Sequence, residues 1–357
     1  MPSGSTLMPR RRQAVTIKHV AADAGVSLQT VSRVINNEPN VRPEMAERVR
    51  GSINRLGYVP LIAAQRMGGS KSRLILALND RDRTIAGWQN REGTDWVDQM
   101  LLGGMLTCGR HGYRLILELV DTHSDHIERE LLGAIGALRP DGVILTPPHS
   151  QDPVILDLLE RHGISIARIG SLTPGPGFSL IMGDEDAARM ATDHLIALGH
   201  RRIGLIAGAT DYELSGWRVT GWRAALAEAG LADDLLAPGN FDYASGRAAA
   251  NSLLAAADPP TAIIASSDQM AIATLEYARE RGLRVPEDLS IISFDDTPVA
   301  RFASPPLTAV VQPIAAVATL AVERIIAEQA QDDLPTEPVY VAADLAVRGS
   351  TAPPPRR

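Results

Sequence analysis

A single cysteine in 357 residues leaves no internal disulfide to form and no second thiol for a metal site. Cys108, within LLGGMLTCGRHGY on a helix-like period, therefore reads as a buried small hydrophobe. No stretch approaches the length of a membrane span, and the start MPSGSTLMPRRRQ lacks the apolar run that a secretory signal needs. A cytoplasmic protein is expected. The vocabulary of catalysis is missing too: no nucleophile motif, metal set or phosphate loop is found. The eight histidines are scattered, with His194 and His200 bracketing a helix end and no H-x-x-x-H or cysteine partner beside them. Asp295 and Asp296 form a carboxylate pair, but neighbours at a strand end point in different directions, unlike the facing pair of a glycosidase. No enzymatic activity, cofactor or metal is expected.

What is present is ordinary globular material, 45% hydrophobic and 22% charged, which rules out disorder as the main state. The length exceeds what one hydrophobic core fills, so a small domain and a larger, divided one are expected. The formal charge of −7 is uneven. Residues 1–73 carry 12 Lys/Arg against 4 Asp/Glu, a net of +8, whereas the remainder carries 23 against 38, a net of −15. A basic head on an acidic body suggests that only the head meets phosphates.

Within the head, Ile17, Val20, Ala21 and Ala24 have the spacing of one buried helix face, with Thr16 suited to cap it and Gly25 to stop it. Val26 fills a turn, Ser27 can cap a second helix, and Val31, Val34 and Ile35 form its inner side. A helix-turn-helix results, whose second helix enters the major groove. Its outer face would carry Leu28, Gln29, Ser32, Arg33 and Asn36. A third helix follows, opened by Pro43, with Met45, Val49, Ile53 and Leu56 at core spacing.

The run VTIKHVAADAGVSLQTVSRVINNEPNVRPEMAERVRGSINRLGYVP resembles the DNA-binding domain of the lactose-repressor (LacI/GalR) family. By that resemblance Leu28, Gln29 and Arg33 read bases, and Thr16, Ser27, Thr30, Ser32 and Asn36 hold phosphates. The chemistry agrees: Arg suits guanine, Gln suits adenine, and hydroxyls suit backbone oxygens. LIAAQRM (61–67) is similar to the family's hinge helix, in which Ala64 permits close approach and Met67 takes the place of the minor-groove wedge. The family usually has Leu at that wedge, Asn where Leu61 stands, and a Ser-type cap where Arg42 stands.

From Arg73 onward short apolar strands alternate with amphipathic helices. Strands are expected at 74–78, 113–119, 142–146, 165–169, 202–208, 262–266 and 289–294. Helices are expected at 97–111, 126–138, 152–162, 185–198, 216–229, 244–256 and 268–281. Such alternation implies an α/β body with parallel sheets covered on both faces and a ligand at the carboxyl ends of the strands. HLIALGHRRIGLIAG, RVTGWRAAL, SSDQMA and FDDTPVARFASPPLT make this region similar to the family's effector domain, a two-lobed fold of the type I periplasmic-binding-protein kind.

The resemblance implies a basic disordered tail at 1–13, the all-α DNA-binding domain at 14–60, a hinge and linker at 61–72, the effector domain at 73–350 and a disordered tail at 351–357. The N-lobe would comprise 73–182 and 314–341, and the C-lobe 183–310 and 342–350. Carried over by position, the effector pocket would contain Arg218, Phe241, Ser267 and Asp295, with Thr146, Gly170, Met182 and Ile314 at other lining positions. Trp96 falls where the family often has a stacking aromatic, and Gln99 accompanies it. Ser267 replaces a usual Asn and Gly170 a usual polar residue, for which Arg168 is the nearby substitute. A lobe-bridging salt bridge is the structural alternative for Arg218 and Asp295, and plain core for Trp96 and Phe241. Residues 79–99 are longer and more polar than the family needs, an insertion expected at the pocket mouth, where Trp88 or Asn90 would meet a larger saccharide, or else a plain surface loop.

The implied protein is a homodimeric repressor on a pseudo-palindromic DNA operator, released by a sugar effector. The tail DDLPTEPVYVAADLAVRGSTAPPPRR has no leucine heptad of the kind that makes a tetramer. Two alternatives stay open: a regulator with a purine-type corepressor, and a sugar-binding protein with no DNA role.

Overall fold

The computed structural model describes residues 15–35, 41–58, 71–90, 95–122, 124–330 and 337–355. The chain divides into two compact units, Met1–Ser72 and Arg73–Arg357.

The first unit holds three helices, α1 (Ile17–Ala24), α2 (Leu28–Ile35) and α3 (Pro43–Leu56). α1 ends at Gly25, whose left-handed backbone (φ 63°) a Cβ would strain. α2 opens on Ser27, whose Oγ accepts the Thr30 N–H at 3.1 Å. Val20, Ala21, Ala24, Val31, Val34, Val49 and Tyr58 form one small core. Met45, expected in that core, is instead 37% exposed. Ser52 takes an inner place, donating to the Val20 carbonyl. Arg42 precedes α3 without a side-chain cap bond. The hinge residues Ala64 and Met67, the N-terminal tail and Asn36 lie outside the described residues.

The second unit is built on two six-stranded sheets. In chain order its elements are β1 (Leu74–Asp80), α4 (Arg81–Asn90), α5 (Asp95–Arg110), β2 (Arg114–Val120), α6 (Ile127–Leu138), β3 (Gly142–Leu145), α7 (Pro153–Arg161), β4 (Ser165–Ile169) and β5 (Phe178–Ile181). These are followed by α8 (Asp184–Ala197), β6 (Ile203–Ile206), α9 (Glu213–Glu228), β7 (Leu236–Ala237), α10 (Tyr243–Leu254), β8 (Ala262–Ala265), α11 (Asp268–Glu280), β9 (Ser290–Asp295), α12 (Pro298–Phe302), β10 (Thr308–Val311), α13 (Ile314–Gln329), β11 (Val339–Tyr340) and β12 (Asp344–Ala346).

The first sheet runs β11-β5-β4-β3-β1-β2, all parallel, and the second β12-β10-β9-β8-β6-β7, parallel except for β12. Central strands such as β3 and β8 are buried along their whole length, because helices cover both faces. Each sheet is accordingly sandwiched between two apolar clusters, with Ile144 and Leu145 on opposite sides of one, and Ile263 and Ile264 of the other. The chain passes from the first lobe to the second after β5, returns for α13 and β11, and crosses again to β12.

Two expectations are corrected. The polar stretch at 79–99 is no plain loop, because residues 81–90 form α4. Asp80 caps it by accepting the Arg83 N–H at 2.8 Å, and Arg81 anchors it on Glu130 at 2.6 Å. The chain end is not frayed from 351 either. Ala352 donates to Ser290 Oγ and its carbonyl pairs with His200, while Thr351 meets Thr308.

Candidate functional site

In each sheet the strand order reverses direction once, between β1 and β3 in one lobe and between β6 and β8 in the other. At such points the connecting helices diverge and leave a crevice beyond the carboxyl ends of the strands. The two crevices face each other across a single cavity of about 690 Å³. Asn79 and Asp80 at the end of β1, and Thr146 and Pro147 after β3, supply one side. Ser267 after β8 and Asp295 at the end of β9 supply the other.

Its aromatic walls are Trp96, Tyr212 and Phe241. The Tyr212 and Phe241 ring centroids are 5.5 Å apart. Phe241 occupies its place because Gly208 has no side chain: a Cβ there would lie 2.0 Å from the ring. Ser267 fixes the same residue by donating to the Phe241 carbonyl at 3.0 Å, and it also accepts the Met270 N–H as the cap of α11. Phe241 and Asp295 both have positive φ, 64° and 99°, a strained backbone that L-residues hold only where surroundings enforce it. Burial pushes the Tyr212 hydroxyl up to about 12, so that it stays a hydrogen-bond donor.

Arg218 lies at the floor, nearly fully buried. It donates to Asp184 at 2.9 and 2.8 Å and to the Ser266 carbonyl at 2.6 Å, with its guanidinium carbon 4.3 Å from the Phe294 ring centroid. Its ion pair lies within one lobe and does not bridge the two. Asp296 turns away from Asp295 and pairs with Arg301 and Arg348 at 3.0 and 2.6 Å. Thr146 points its hydroxyl to the Leu78 carbonyl and to Asn79, so it holds the wall.

Trp96, Thr146, Arg218, Phe241, Ser267 and Asp295 are thus brought together around one cavity. Gln99, Gly170, Met182 and Ile314 do not line it. Met182 and Ile314 are buried in the first lobe's core. Gln99 is half-buried on α5. Gly170 underlies the cavity, since a Cβ would meet Leu214 at 3.1 Å and Pro147 at 3.2 Å. Arg168 is held by Ser150, Ser171 and Thr173. Asn90 lines the cavity, whereas Trp88 does not.

On the first unit, Leu28, Gln29 and Arg33 project together from α2, with Leu28 44% exposed despite its apolar side chain. Ser32 lies beside them. Ser27 and Thr30 bond each other at the helix start, and the Thr16 N–H donates to His19 Nδ1 at 3.0 Å.

Residues 16–60 match the model of bacterial regulatory proteins of the lacI family, and residues 192–351 that of a periplasmic binding protein-like domain. The HTH-type transcriptional regulator CelR of Thermobifida fusca is 35% identical over 354 residues, spanning 95% of this chain and 99% of that protein. The chain belongs to the LacI family. It is a DNA-binding transcriptional regulator. Catabolite control protein A of Priestia megaterium is 31% identical over 94% of this chain and 99% of its own. Among solved structures, a CelR–cellobiose complex matches with a TM-score of 0.71 and 30% identity, covering 94% of this chain and 99% of that one. A lac repressor dimer bound to operator and an anti-inducer matches with a TM-score of 0.81 and 26% identity, covering 95% and 100%.

For this LacI-family chain, sequence reasoning missed Asn79, Asp80, Arg83, Tyr212 and Asn240 on the cavity wall. The first two directly end a strand beside the reversal point, a position that the strand rule alone would have marked. Arg83 had no such signal, because α4 carries too little apolar pattern to be seen as a helix.

Proposed function

We propose that this regulator represses genes of carbohydrate uptake or breakdown and leaves a pseudo-palindromic operator when a sugar enters the cavity. The observation that carries this reading is the pairing of apolar ring faces, Trp96, Tyr212 and Phe241, with hydrogen-bonding groups on Asn79, Asn240 and Asp295 around one space. Rings cover the C–H faces of a sugar while amides and carboxylates hold its hydroxyls. A cavity of about 690 Å³ suits more than one hexose ring, and the cellobiose held by the CelR relative supports a disaccharide.

In this reading Leu28, Gln29 and Arg33 meet base edges, and Thr16, Ser27, Thr30, Ser32 and Asn36 meet phosphates. Ala64 and Met67 belong to the minor-groove hinge. The operator's symmetry calls for a dimer, and its DNA target places it in the cytoplasm. Leu102, Met105 and Leu106 support that assembly: they stand 50%, 57% and 63% exposed at helical spacing on α5, an apolar strip that a second copy would cover.

The test is fluorescence anisotropy on a duplex selected from random sequence, titrated with glucose, cellobiose and purine bases. A sugar that releases the duplex supports the proposal, and a purine that tightens it replaces the sugar with a corepressor. Asp295→Ala is expected to abolish the response and retain operator binding. An unchanged dose response removes Asp295 from the site.

A further inference from the structure

Helix N-termini attract anions, and six helices begin at this cavity: α5 starts on Asp95, α12 follows Thr297, whose amide donates to Asp268, and the other four are α4, α9, α10 and α11. A phosphorylated or carboxylated ligand would use those ends, yet three of the last four already hold carboxylates of the chain itself. Asp80 accepts the Arg83 N–H at the start of α4, Asp242 accepts the Ser245 N–H at 2.7 Å at the start of α10, and Asp268 is the first residue of α11. The fourth begins with Glu213, whose carboxylate takes up the Ser171 and Thr173 hydroxyls and the Leu172 N–H of the facing lobe.

The cations are engaged as well. Arg218 is spent on Asp184 and the Ser266 carbonyl. Arg83 donates to Asn240, and among the described residues neither lysine nor histidine lines the cavity. Asp82, Asp211 and Asp295 add further carboxylates to the wall.

We propose that the cavity is a charge filter, accepting polyols that are neutral or bear an amine and rejecting their phosphorylated and carboxylated forms. The inference rests on the sugar reading above and adds to it a selection by charge. A phosphate monoester carries a charge of about −1.5 to −2 at neutral pH. Placed among several carboxylates, with Arg218 neutralised by Asp184 and Arg83 held on Asn240 as the cations of the described wall, it should bind about 100-fold more weakly than its parent. The regulator would then sense its ligand before any phosphoryl transfer, and a kinase acting on that ligand would end the signal.

The test is calorimetry on the full chain with matched pairs: glucose and glucosamine against glucose 6-phosphate and glucuronate, cellobiose against cellobionate, and adenosine against its 5′-monophosphate. Binding by the neutral or amine-bearing member, with the anionic partner about 100-fold weaker or silent, supports the filter. Added salt, or the variant Asp82→Asn/Asp211→Asn, should narrow the gap several-fold. An anionic partner that binds within tenfold of its parent, or better, overturns the filter and leaves the sugar reading standing. If only adenosine binds and its monophosphate does not, the sugar reading fails and the filter stands. Silence from every neutral and amine-bearing member ends both.

Discussion

The guanidinium of Arg83, carried by the first lobe, reaches Asn240 of the second and donates to its carbonyl oxygen at 2.6 Å and to Oδ1 at 2.8 Å. It lies 5.0 Å from the Tyr212 ring centroid and 5.7 Å from that of Phe241. Elsewhere the lobes also meet through Glu213, and through Gln151, which donates to the Asp211 carbonyl at 2.6 Å. The cleft is therefore bridged by direct polar contacts.

Arg83→Ala should loosen that bridge. Because the contact is solvent-exposed, global unfolding should change by less than about 1 kcal/mol. Small-angle scattering of the ligand-free protein should show a larger radius of gyration than wild type. Equal radii would mean that the Glu213 and Gln151 contacts suffice to hold the lobes.

The Arg218–Asp184 pair behaves differently because both side chains are buried. Asp184→Ala strands a guanidinium in the interior with the Ser266 carbonyl as its remaining described hydrogen-bond acceptor beside the Phe294 ring, and should cost about 3–5 kcal/mol in urea unfolding. Replacing both residues by apolar ones of similar size should recover most of the loss. A small effect of Asp184→Ala alone would show that water reaches the guanidinium.

The regular part of this architecture was legible from apolar runs and helical spacing, since buried parallel strands such as Leu74–Asp80 are short and almost wholly apolar. The two-residue strands β7 and β11 were not, because their pairing depends on a neighbouring edge and not on local pattern. Helix α4 escaped for another reason: its support is polar, from Asp80 and the Arg81–Glu130 pair. The cavity was half visible. Arg218, Phe241 and Asp295 could be placed by resemblance, but the hydroxyls of Ser267 and Thr146 serve the wall itself, and Met182 and Ile314 lie in the core. Side-chain direction at a strand end is set by packing from distant segments, which one sequence does not display.

Gly208 tests how the aromatic wall is positioned. In Gly208→Ala the new methyl would fall 2.0 Å from the Phe241 ring and 2.6 Å from Ser215 Oγ. The ring must move, at a cost of about 1–3 kcal/mol in stability. Sugar affinity should fall at the same time, measured by calorimetry. A variant that keeps wild-type affinity would remove the Phe241 ring from the ligand's surface.

Asp268 predicts a pH dependence. Burial pushes its carboxyl up to about 6, the Ser293 hydroxyl and hydrogen bonds from the Thr297 hydroxyl and amide oppose the shift, and Asp296 adds repulsion. The folded protein therefore holds this proton more tightly than the unfolded chain. The resulting stability is fully present below about pH 4 and is lost as pH rises through about 6. Asp268→Asn keeps an acceptor for Thr297 and removes the titration. Relative to the variant, wild type should lose about 1–3 kcal/mol between pH 4 and pH 7. Parallel pH profiles for the two proteins would contradict this.

Arg33 tests the reading head. Exposed on α2 one turn beyond Gln29, it has the reach and the paired donors to bond guanine O6 and N7 together. Arg33→Ala should then cost about 1–3 kcal/mol on the preferred duplex and relax base preference at one position in each half-site. Thr30→Ala, which removes a hydroxyl bonded to Ser27 at the helix start, should instead weaken all sequences alike. The comparison is read by sequencing duplexes selected by each variant from a random pool. If Arg33→Ala lowers binding uniformly and leaves the selected motif unchanged, Arg33 holds a phosphate, and base reading along α2 rests on Leu28 and Gln29.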